Sequence, residues 1–211
     1  MRSSHRLIRL LQLAACLMIL KVTWGIVAGY GSYFPPDFTA VFLRGRKAYF
    51  YGSYQWAFYP HIVAGPVVLV QGLLLTSSRL RTRFPQWHMW MGRLQVAFIL
   101  MLLAPSGLWM AFYAHTVWFA RAGFALLAVA TGIAAAMGWR LAVARRFADH
   151  RRWMIRCYIL LCSAVVTRLL GGLFVMLQQD GEWTYWLAAW ISWVVPLALY
   201  EGACRIRWLK S

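Results

Sequence analysis

Six apolar stretches, at 10–30, 56–76, 90–113, 117–139, 153–177 and 184–204, decide most of what this chain can become. A helix needs roughly 20 apolar residues to cross about 30 Å of hydrocarbon, and each stretch is of that order. In hydrocarbon every backbone N–H and C=O must be paired within the protein, and a helix does this span by span. The expected fold is all-α: a polytopic membrane protein of six transmembrane helices in one integral-membrane domain, 1–211. Spans two to five are expected to form a central four-helix bundle. A very short turn around His115 separates spans three and four, which predicts an antiparallel hairpin. Pro105 and Pro196 predict local kinks where neighbours satisfy the freed carbonyls. The longest connection, 31–55, reads as an ordered external loop with a short interfacial helix, and no loop can hold a soluble catalytic domain.

Charge then sets orientation. The chain carries 22 Lys and Arg against five Asp and Glu, a formal net charge of +17. Charged residues are only 13% of the chain, about half the share in a soluble domain. The arginines lie between apolar spans and not on a polar surface, so the expected partner is the lipid bilayer and not nucleic acid. With the N-terminus inside, Arg2, Arg6, Arg9, Arg79, Arg81, Arg83, Arg93, Arg140, Arg145, Arg146, Arg151, Arg152, Arg156, Arg205, Arg207 and Lys210 all fall on the cytoplasmic side. Only Arg44, Arg46, Lys47 and Arg121 fall outside, so the positive-inside rule places both termini in the cytoplasm. The expected location is a bacterial inner (plasma) membrane. Trp56, Tyr59, Trp87, Trp90, Tyr113, Trp118, Trp153, Trp183 and Tyr185 stand at span ends, as interfacial belts do.

Cys16, Cys157, Cys162 and Cys204 lie in or at the ends of spans without a CxxC pair, and read as small buried hydrophobes. Leu13-Ala14-Ala15-Cys16 has the look of a lipoprotein cleavage site. Apolar sequence nevertheless continues past Cys16, and the stretch after Arg9 is short for a signal peptide, so an uncleaved first span is expected.

Four histidines take ordered places once the topology is set. His61 opens span two and His115 span four on the outer side; His88 opens span three and His150 span five on the inner side. In a four-helix bundle these alternate helices are diagonally opposite, the placement in which two neutral imidazoles bracket a haem iron. The arrangement resembles that of the cytochrome b561 family, whose members carry two b haems between four central helices. The resemblance implies haem b held by His61, His88, His115 and His150 as metal ligands, and membrane electron transfer to a quinone or another redox protein. Interfacial hydrogen bonding is the structural alternative for the same four residues.

Arg168 and Lys21 are charges inside spans, each costing about 2.5–3.5 kcal/mol if left against lipid. Lys21 can snorkel to an interface. Arg168 needs backbone carbonyls, hydroxyls such as those of Thr131 or Ser192, or an anionic ligand. With haem present, Arg93, Arg156 and Arg168 would neutralise propionates or bind a quinone head. Gly65, Gly72, Gly123, Gly132, Gly171 and Gly172 permit close helix approach, or equally the edge of a macrocycle.

Three stretches, PHIVAGPVVLVQG (60–72), WHMWMGRLQV (87–96) and DHRRWMIRCYILLCSAVVTRL (149–169), together resemble a bacterial membrane family called domain of unknown function 2306. The matching positions are His61, Gly65 and Gly72; His88, Gly92 and Arg93; and His150, Arg151, Trp153, Met154, Arg156 and Arg168. His115 is not among them, so the resemblance favours the inner pair over a four-ligand arrangement. The family name implies no activity. Two other classes of function stay open: a non-catalytic membrane subunit or assembly protein, and a small-anion transporter using Arg168. No hydrolase, nucleotide-binding or nucleophile pattern is present, so no catalytic residue is expected.

Overall fold

The computed structural model describes residues 2–114, 118–179 and 181–208, with side chains described for 6–206 of these. Six helices are long and apolar enough to cross a membrane: Arg6–Ser32, Lys47–Thr76, Pro85–Phe112, Trp118–Val143, Phe147–Met176 and Glu182–Ile206. No strand forms among the described residues, and the chain is an all-α polytopic membrane protein. The helices outrun their apolar stretches because polar first turns can pair their backbone groups in the headgroup region. Hydropathy therefore sees only the hydrocarbon part. The third helix begins at Pro85, a residue suited to the first helical position, where an N–H has no intrahelical partner. The fifth begins at Phe147, and Asp149 in its first turn meets the positive end of the macrodipole and bridges to Arg146 at 2.7 Å. These longer helices carry His88 and His150 in their own first turns.

The connection expected over 31–55 ends sooner. Lys47–Tyr49 already begins the second span, followed by a π-turn over Phe50–Tyr54 and the helix Gln55–Thr76. Its aromatics, expected in a loop, pack instead: Phe50 and Tyr54 are buried, and Tyr54 stacks on Phe58 of the apolar stretch that follows, with centroids 6.1 Å apart.

The chain divides into two compact units, 1–48 and 49–211. In the first, the helix Arg2–Ala28 runs without a break through Cys16. Beyond it, the Asp37 carboxylate accepts the Thr39 hydroxyl at 2.7 Å and the Thr39 backbone N–H at 2.8 Å. These bonds favour the charged form, the hydroxyl first, and hold Asp37 below the usual aspartate value. A lowered carboxylate stabilises the fold above its unfolded value, and that contribution is lost as pH falls through the folded one. Thr39→Val should therefore move the Asp37 midpoint upward, read by carboxyl-carbon NMR titration, with the backbone bond keeping it slightly low.

In the second unit, span two packs on spans three and five, span three on span four, and span four on span five. The ring of four is closed, so spans two and four, and three and five, are the diagonal pairs. The sixth span lies against spans four and five. Trp190 on that span donates to Phe119 O at 3.0 Å and stacks on the Phe119 ring. Pro105 has no N–H for the carbonyl of Met101, and the third helix accommodates this with a π-turn over Ile99–Leu103. The sixth helix passes through Pro196 without a break.

Small residues set the closest approaches between spans. A Cβ at Gly72 would lie 2.6 Å from the Tyr158 ring of span five, and one at Gly138 would collide with the Met154 sulfur. At Gly171 and Gly172, expected to permit packing, a Cβ would meet nothing within 4 Å. Gly72→Ala should cost about 1–3 kcal/mol, because the Tyr158 hydroxyl donates to Leu69 O at 3.2 Å and cannot swing away freely. Its thermal midpoint in detergent should fall. In a Tyr158→Ala background, where the clashing ring is gone, the same substitution should lower the midpoint very little.

Candidate functional site

His88 and His150 stand on the diagonal spans three and five, at the same end of the bundle. His88 is half-buried, and its Nδ1 is shielded from solvent with no hydrogen-bond partner. His150 is half-buried too, and its Nδ1 lies 2.8 Å from the Gly138 carbonyl of span four. A carbonyl only accepts, so a neutral His150 carries its proton on Nδ1 and keeps the lone pair on Nε2. This is the orienting bond that metal-ligating imidazoles commonly make through their second nitrogen. The two rings are within electrostatic reach of one another, and Arg81 is within reach of His88.

At the opposite end, His61 on span two is placed by the third span. Its Nδ1 is 3.2 Å from Ser106 Oγ. That hydroxyl donates its single proton to Leu102 O at 2.5 Å, so it accepts from His61 and again leaves Nε2 with the lone pair. The ring lies over Gly107, where a Cβ would come within 3.1 Å of Cε1. His115, expected as its partner, lies outside the described residues.

The three arginines separate. Arg93 is exposed, with its guanidinium over the Trp90 ring at 5.0 Å and 3.7 Å from the Met89 sulfur, all on its own helix. Arg156 is held by Glu201 of the sixth span through two bonds, Nε–Oε1 at 2.5 Å and Nη2–Oε2 at 2.9 Å. Arg168 donates to Ala164 O at 3.1 Å within its own helix and is within electrostatic reach of His61. Thr131, one of the hydroxyls expected for Arg168, bonds Leu127 O instead. The end of its helix at Met176 is about 12 Å of rise away, so Arg168 belongs to the His61 half of the membrane.

Sequence reasoning misses Ser106, Gly107 and Gly138 as the supports of the two imidazoles. A signal exists for Gly138: the tight turn at 144–146, with Arg145 at φ 57, brings the end of span four back beside the start of span five. Among the described residues no cluster of three or more His, Cys, Asp or Glu could hold a metal ion. Two imidazoles are donors of the kind a haem iron takes; here His150 has Nδ1 committed to Gly138 O, and His88 has a shielded Nδ1 without a partner.

Comparison with curated proteins and with solved structures gives no match. A family model described as Predicted membrane protein (DUF2306) matches residues 58–202, from the turn before His61 to the residue after Glu201. The match takes in most of span two, all of spans three to five and most of span six, and the chain belongs to that family.

Proposed function

We propose that this protein is a membrane electron-transfer protein that binds b-type haem, which His88 and His150 would hold at the arginine-rich end. The observation that carries the reading is the Nδ1–H bond of His150 to Gly138 O, on a helix diagonal to that of His88 and at the same depth in sequence from the helix start. That bond holds the proton away from Nε2 and fixes the ring plane, so the lone pair is available without reorganisation. The bound haem would supply a one-electron carrier. The protein's part is to orient both imidazoles and to hold them on rigid helices, with the Met154 side chain packed against Gly138 beside His150. His61, with Nδ1 likewise committed, is the anchor of a second site completed by His115. Arg168 would place positive charge beside an anionic group in that half.

By the positive-inside distribution, the arginine-rich end is cytoplasmic, with both termini on that side of a bacterial inner membrane. A quinone or another redox protein would exchange the electrons. The test is haem stoichiometry: protein purified from haem-supplied cells is assayed by pyridine haemochrome. One haem per chain is the expected result for the inner pair, and two would extend it to His61 and His115. None would leave the subunit and anion-transport readings standing and remove this one.

A further inference from the structure

Two buried glutamines clasp spans two and three. Gln71 donates from Nε2 to Met91 O, and Gln95 donates from Nε2 to Val68 O, both at 3.0 Å. The bonds run in opposite directions across the same helix pair, so each amide is pinned by its nitrogen while its oxygen is shielded from solvent. Gln95 is 1% exposed and Gln71 8%, and neither Oε1 has a hydrogen-bond partner among the described residues. An unpaired amide oxygen in a membrane interior is expensive, because no lipid atom can donate to it. Flipping either amide would aim an N–H where an oxygen now sits and break its clasp, so rotation does not solve the problem.

From this geometry we infer that Gln71 Oε1 and Gln95 Oε1 jointly hold one buried water molecule. The pair is a two-acceptor site, and water brings two protons. A buried water needs two to four polar partners in a space of about its own size. Space is limited: Gly72 is the residue next to Gln71, and even a Cβ there would lie 3.2 Å from Gln95 Nε2 and 2.6 Å from Tyr158. A quinol or other ring does not fit such packing. A cation would also satisfy both oxygens, but spans two and three contain no acidic residue and the chain carries a net charge of +17. The inference is independent of the haem reading, since neither glutamine touches the two imidazoles in any bond above. Gln95 lies two helical turns beyond His88 on the same face of span three, deeper in the bundle.

Water-edited solid-state NMR on the labelled, full-length protein in liposomes tests this directly. Magnetisation starting on water should reach the side-chain amides of both Gln71 and Gln95, while Val68 and Val96 beside them stay dark. Gln71→Leu should abolish the transfer at Gln95, and Gln95→Leu the transfer at Gln71, because one acceptor alone does not retain the molecule. No transfer at either amide in the wild-type protein overturns the site. Transfer that survives at the remaining glutamine in a variant overturns the sharing. The wild-type measurement stands even where a variant fails to fold, and a haem-free preparation that shows the transfer separates this result from the proposed function.

Discussion

His150→Ala should strip haem from the purified protein, lowering its Soret absorbance at least about tenfold relative to protein, the scale on which metal sites respond to loss of a supporting group. His88→Ala should do the same, since both imidazoles would be needed to hold the haem. His150→Met is the informative companion. A thioether can replace an imidazole as an axial ligand, and His/Met ligation raises the reduction potential. The expected result is therefore retained haem that reduces at higher potential in a redox titration. A structural role for His150 would show the reverse: unchanged haem content in His150→Ala and a lower thermal midpoint. His61→Ala should leave the inner haem untouched, because its ring is supported from Ser106 and Gly107 at the other end of the span.

The second large effect belongs to the ion pair between spans five and six. Arg156 meets Glu201 through two parallel bonds and stands over Trp153 at 5.0 Å and Tyr200 at 5.9 Å. Such a fork is the strongest form of this contact. Removing Glu201 leaves a guanidinium that is only 25% exposed with no counter-charge. A fully buried orphan of this kind costs about 3–5 kcal/mol, and partial exposure brings the expectation for Glu201→Ala to about 2 kcal/mol. For a chain of this size that is a fall of about 4–8 °C in thermal midpoint. Arg156→Met with Glu201→Leu should recover most of the loss, since both charges leave together. Recovery separates an electrostatic tie from simple loss of packing, which the double variant would deepen.

The contrast between what the sequence predicts and what the fold contains follows from range. Six helices are legible because apolar length is a local property, and the short links at His115 and at 144–146 fix which helices are neighbours. The diagonal placement of His88 and His150 follows from that order alone. Glu201 stands near the end of the sixth apolar stretch, and its partner 45 residues away is invisible in sequence, because pairing depends on the rotation of two helices about their axes. Gln71 and Gln95 look like isolated polar residues for the same reason. Only the relative register of spans two and three makes them reciprocal. Pro105 predicts a kink, whereas the π-turn over Ile99–Leu103 that absorbs it is a backbone solution chosen by the neighbouring packing. Cysteine is a similar case: Cys157 is buried as expected, while Cys16, Cys162 and Cys204 are only half-buried.

Everything proposed for function turns on two imidazoles of diagonal helices holding a redox-active haem. The decisive measurement is a dithionite-reduced minus air-oxidised absorption spectrum of the detergent-purified protein, expressed in cells supplied with haem. A Soret band that shifts on reduction and a sharp α band in the reduced form are expected, both lost in His88→Ala. A folded, helical preparation with no Soret band in either state would refute haem ligation by this pair.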